Sequence, residues 1–120
     1  VHGLGATIAA DTLRRKGWDI TLLLGLGHAA LVEEIAALQP AMVGLSVAQS
    51  SMTFAVARLI VALRVRCPQV WILVGGPVLA EDPEVARIVD ADAGAGSIDE
   101  GIALMDAHLA EMNRLHSDRA

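Results

Sequence analysis

Few side chains in this sequence suit chemistry, and most of those sit beside glycines. His2-Gly3-Leu4-Gly5 stands just ahead of a helical pattern. Glycines there leave backbone N–H groups free and let a large ligand approach the main chain. A histidine beside such a turn can ligate a metal or move a proton. His28 follows a second glycine pair, Gly25 and Gly27, and is either a second candidate ligand or the first residue of a helix. Ser46, Ala48, Gly75-Gly76 and Gly96 lie in three further polar or glycine-rich turns. No nucleophile–base pair, acid pair or His/Cys/carboxylate metal cluster can be assembled from these spacings. No catalytic residue is therefore expected, and any chemistry belongs to a bound cofactor.

The elements that position these residues alternate. Leu4, Ile8 and Leu13 recur at helical spacing, and Arg14-Arg15-Lys16 before Gly17 is a helix stop. Trp18–Leu24 reads as a buried strand, and His28–Leu38 as a helix with Leu31, Ile35 and Leu38 inward and Glu33 and Glu34 outward. Ala41–Val47 is the next strand, followed by Gln49-Ser50-Ser51, whose hydroxyls suit the cap of a helix over Met52–Arg66. Val70–Val74 is a strand ended by Gly75-Gly76-Pro77, and Pro83 opens a short helix through Val89. Ala91–Ala95 is a weak strand. Ser97-x-x-Glu100 has capping-box spacing and opens a last helix that frays after Leu115.

Such alternation predicts an α/β fold, a flavodoxin-like (Rossmann-like) doubly wound parallel sheet with right-handed crossovers. That fold begins with a central strand, which here would precede Val1. The expectation is one domain over residues 1–120, a fragment of a longer protein whose first strand lies outside this chain. The chain is 54 % hydrophobic and almost wholly aliphatic, which suits a sheet covered on both faces. The longest apolar candidate, Met52–Val65, is broken by Arg58 and Arg64, so no membrane span is expected. A net charge of -5 disfavours direct nucleic-acid binding. The single cysteine, Cys67, excludes an intrachain disulfide and reads as a small helix-end residue. A cytoplasmic setting is the default, with no secretory leader visible.

Ligands of open α/β sheets bind outside the carboxyl ends of the strands. The loops there are small and rich in glycine and serine, which favours a large ligand lying over backbone. A dinucleotide fingerprint fails on two counts. Ile8 occupies the third glycine position, and the strand ending Leu24-Gly25 supplies no acid for a ribose.

Three motifs in register resemble the cobalamin-binding domain family over essentially the whole chain. The family's first loop reads Asp-x-His-x-x-Gly; His2-Gly3-Leu4-Gly5 matches its second half, with the Asp falling one residue before Val1. Val43-Gly44-Leu45-Ser46 is similar to the strand that carries the family's Ser-x-Leu, although Ala48 replaces the Leu. Val74-Gly75-Gly76 is similar to its closing glycine pair. The resemblance implies that His2 replaces dimethylbenzimidazole as lower axial ligand of cobalt, while the displaced nucleotide tail inserts beside the sheet. It implies that Ser46 hydrogen-bonds the tail and that Gly75 and Gly76 leave room for it. Gly3, Gly5, Ala48 and Gly96 complete the cofactor-binding set, with His28 as the lesser metal candidate.

Function follows as an expectation: a cobalamin-binding, sensory module of a bacterial signalling or transcription regulator. Leu13–Trp18 and Leu38-Gln39-Pro40 look most like domains of light- or redox-responsive regulators, some of whose relatives bind haem. The alternatives are a corrinoid carrier domain of a methyltransferase or mutase, a haem sensor, and a cofactor-free interaction domain. Its partners would be the corrinoid and other domains of the parent protein or a regulator protein.

Overall fold

The computed structural model describes residues 27–119. Three strands form one parallel sheet: β1 (Met42–Ser46), β2 (Trp71–Gly75) and β3 (Ala93–Gly94), in the order β1-β2-β3. The helices are α1 (His28–Leu38), α2 (Thr53–Arg66), α3 (Pro77–Glu81), α4 (Val85–Ile88) and α5 (Ile98–Arg119), with a 3₁₀ turn over Ser50–Met52. β1 and β2 run in register from Met42 opposite Trp71 to Ser46 opposite Gly75. This register sets the ends of both strands at one edge.

The β2 sequence Trp-Ile-Leu-Val is apolar on both faces, as a central parallel strand must be. Ile72 and Val74 are fully buried and join Ile60, Leu63, Val47 and Leu79 in the main core. Each such side chain contributes roughly 1.5–3 kcal/mol when withdrawn from water. Leu73, on the opposite face, is also buried, and its side chain lies 3.6 Å from where a Cβ on Gly101 of α5 would stand. Helices thus cover both sides of β2.

Polar contacts fix the sheet's other edge. The Asp92 carboxylate accepts a hydrogen bond from the Ile72 backbone N–H at 2.7 Å, and the Asp92 N–H donates to the Ile72 carbonyl at 2.8 Å. Arg64 donates to the same carboxylate and to the Asp90 carbonyl. These bonds align the two-residue β3 before its ladder begins. Arg66 pairs with Glu33 at 2.6 Å, tying the end of α2 to α1.

Several local expectations differ. α1 buries Val32, Ile35 and Ala36, whereas Leu38 is half exposed, because nearly every position of His-Ala-Ala-Leu-Val-Glu-Glu-Ile-Ala-Ala-Leu except the two glutamates is apolar or small and several stripes compete. Ser50 and Ser51 cap nothing: they lie in the 3₁₀ turn, and the Ser51 hydroxyl bonds Gln49. An extra helix, α3, begins at Pro77, whose fixed φ and missing N–H suit a first helical position. Asp82 interrupts it before α4, its carboxylate accepting the Glu84 N–H. The last helix continues to Arg119 instead of fraying after Leu115, and an Arg114–Glu111 pair stiffens that stretch. His108 is half-buried and stacked on Trp71, with ring centroids 4.5 Å apart and planes 9° from parallel.

Among the described residues, no helix is long and apolar enough to cross a membrane.

Candidate functional site

The carboxyl edge of the sheet gathers five of the residues singled out by sequence. Ser46 ends β1 and Gly75 ends β2, directly opposite each other. Gly76 caps α3, Ala48 is half-buried in the loop after β1, and Gly96 lies between β3 and α5. His28 opens α1 and is exposed. His2, Gly3 and Gly5 lie outside the described residues. Among the described residues, no group of three or more His, Cys, Asp or Glu side chains could hold a metal ion.

Backbone hydrogen bonds knit this edge together. The Val47 N–H donates to the Gly75 carbonyl at 2.8 Å, and the Val47 carbonyl accepts the Val78 N–H at 3.3 Å. The Ala95 N–H donates to the Val74 carbonyl at 2.9 Å. Gly76 adopts φ 102° and ψ 176°, a conformation open essentially to glycine alone. A Cβ there would stand 2.7 Å from the Val47 carbonyl oxygen and 3.0 Å from the Ser46 hydroxyl. Two loops can cross this closely only because residue 76 has no side chain. Gly75 and Gly96 are less crowded: a Cβ on either would meet its nearest neighbour at 3.7 Å and 3.5 Å.

The face of β1 that carries Ser46 also carries Gly44, two residues earlier. No described atom lies within 4 Å of a Cβ built on Gly44. Among the described residues, the face of β1 from the Ser46 hydroxyl to Gly44 is therefore uncovered. Gly44 belongs to the Val43–Ser46 motif, and strand periodicity counted back from Ser46 is the signal that gives it a place at this edge. Glu100, which has capping-box spacing from Ser97, also places its carboxylate at this edge. Its N–H bonds the Ser97 hydroxyl at 3.1 Å, and its Oε2 accepts the Gly96 N–H at 3.4 Å.

Two ion pairs away from this edge shift the titration of a carboxyl group. Arg66, by hydrogen bond and then by charge, holds the Glu33 carboxyl below the usual carboxylate range. Arg114 does the same for Glu111 on α5. The candidate edge thus offers backbone, a hydroxyl, glycine-lined space and one carboxylate, with no acid–base pair of its own among the described residues.

The model of one known family, the B12 binding domain, matches residues 1–115. The chain belongs to the B12 binding domain family. Three parallel strands in one sheet with flanking helices, among the described residues, agree with the flavodoxin-like α/β fold of B12 binding domains. No curated protein matches the chain. The glycine cradle at Ser46 and Gly76 and the absence of a side chain at Gly44 leave the backbone of this edge accessible among the described residues. The described residues therefore fit a corrinoid.

Proposed function

We propose that this domain binds cobalamin over the carboxyl edge of its sheet, with the nucleotide tail lying along the Gly44–Ser46 strip. The observation that carries this reading is the Gly76 cradle, where the absence of a side chain keeps the Val47 backbone and the Ser46 hydroxyl in place at the mouth of that strip. In this reading Ser46 hydrogen-bonds the tail, Gly75, Gly76 and Gly96 keep the edge low, and Ala48 bounds the tail pocket. His2, followed by Gly3 and Gly5, would be the residue that holds cobalt. When bound, the corrinoid supplies cobalt-centred chemistry; the domain itself binds, orients and shields.

The biological role we assign is a sensory or regulatory module, working in the cytoplasm through other domains of its parent protein or a separate regulator. Ala48 in place of the Leu of Ser-x-Leu, together with the Leu13–Trp18 segment, favours this over a corrinoid carrier for a methyltransferase or mutase.

Absorption spectroscopy after incubation with hydroxocobalamin and, separately, hemin tests the reading. Stoichiometric retention of hydroxocobalamin, with a band shift lost in His2→Ala, is the expected result. Retention of hemin alone would make this a haem sensor. Retention of neither would leave a protein-interaction domain.

A further inference from the structure

A shallow cavity of about 230 Å³ opens between α3 and the start of α5, beside the proposed cofactor edge. Leu79, Ala80, Pro83 and Gly96 form its apolar and backbone walls, and of its lining side chains Glu100 alone is charged. The Glu100 carboxylate is held by the Gly96 N–H at 3.4 Å, a long bond that uses one of about four acceptor positions. Ionised, it can only accept hydrogen bonds.

This chemistry selects among the groups a corrinoid presents. A phosphodiester or carboxylate would be repelled, whereas a primary amide offers two donors, and the corrin ring is fringed with primary amides. The cavity adjoins Gly75 through Ala95, whose carbonyl lies 3.7 Å from a Cβ placed on Gly75. We infer that this cavity is a subsite for one side-chain amide of the corrin ring, with Glu100 as its specificity-determining acceptor. The inference rests on the corrinoid reading above.

Cobalamin monocarboxylic acids, each with one side-chain amide replaced by carboxylate, are the probes. Binding of hydroxocobalamin and of each acid is compared in the unaltered domain, Glu100→Gln and Gly96→Ala. At least one acid should bind the unaltered domain about tenfold more weakly than hydroxocobalamin, because two carboxylates would face each other. Glu100→Gln, of the same shape and able to donate, should bring that ratio close to one. A purely structural role for Glu100 would lower all affinities together and leave the ratio intact. Gly96→Ala supplies a folded control that narrows the cavity: its Cβ would meet Ala80 at 3.5 Å, an ordinary contact. It should weaken hydroxocobalamin binding several-fold with an unchanged melting curve. Equal ratios in the unaltered and Glu100→Gln proteins overturn the inference and spare the corrinoid reading. Failure of hydroxocobalamin to bind the unaltered domain overturns both.

Discussion

The hydroxyl of Ser46 lies 3.0 Å from the point a Cβ on Gly76 would occupy, and the carbonyl oxygen of Val47 lies closer still, at 2.7 Å. Two loops that leave adjacent strands are thereby locked at the edge where the cofactor is proposed to sit. Gly76→Ala places a side chain in a backbone conformation reserved for glycine and against fixed backbone. We expect a loss of roughly 2 kcal/mol or more, read by urea unfolding. Gly75→Ala is the contrast, since its Cβ meets only the Ala95 carbonyl at 3.7 Å. It should leave stability within about 1 kcal/mol. Equal losses in the two variants would contradict the cradle.

A variant at Gly44 distinguishes binding of the tail from binding of the ring. Gly44→Val adds a branched side chain at a strand position that no other described residue crowds, and strand propensity favours it. In the proposed geometry it blocks the tail's path. Cobalamin affinity should fall about tenfold or more, on the scale of one buried clash. Cobinamide, which lacks the nucleotide tail, should be affected far less. A parallel loss for both ligands would place the tail elsewhere.

The Glu33–Arg66 pair makes a prediction in pH. Arg66 depresses the folded pKa of Glu33 below its unfolded value of about 4.3. Its stabilisation is therefore fully present above that value and is lost as pH falls through the folded pKa. Both groups are largely exposed, so the effect is small and weakens in high salt. The stability gap between the unaltered domain and Glu33→Gln should exist near pH 7 and narrow as pH falls below the unfolded value of about 4.3. A gap that persists in acid would mean the carboxylate's charge is not its cause.

The stack of Trp71 on His108 fastens α5 to the start of β2. In a Trp18→Phe background, which isolates Trp71, His108→Ala should shift the emission to the red and cost about 0.5–1.5 kcal/mol. His108→Phe should recover most of both. Unchanged emission in His108→Ala would show that the rings do not stack in solution.

Much of this architecture is legible in the residue order, because strand runs, glycine stops and helix caps are local signals. His28–Leu38 is bounded by Gly27 and by Gln39-Pro40, and the Ser97–Glu100 cap forms the hydrogen bond its spacing implies. What local pattern does not carry is the choice between competing apolar stripes, as in α1, where Val32 and Ala36 are buried and Leu38 is not. Nor does it carry contacts across the chain. Trp71 on β2 meets His108 on α5, and Arg64 on α2 meets Asp92 ahead of β3, through the packing of helices against the sheet. At the candidate site, the motif residues Ser46, Gly75 and Gly76 were visible as motifs. Gly44 and Glu100 acquire meaning only once the strand face and the adjoining cavity are known.

The central claim is that a histidine of this domain, His2, replaces the corrinoid's own base. Electron paramagnetic resonance of the bound cobalt(II) form tests it directly, using protein labelled with ¹⁵N-histidine and unlabelled cofactor. The unpaired electron couples to the axial nitrogen, so a ¹⁵N ligand splits each cobalt line into a doublet and a ¹⁴N ligand into a triplet. We predict a doublet that disappears in His2→Ala. A triplet in the labelled protein would show that dimethylbenzimidazole stays on cobalt, and a doublet that survives His2→Ala would move the ligand to another histidine, with His28 the first to test.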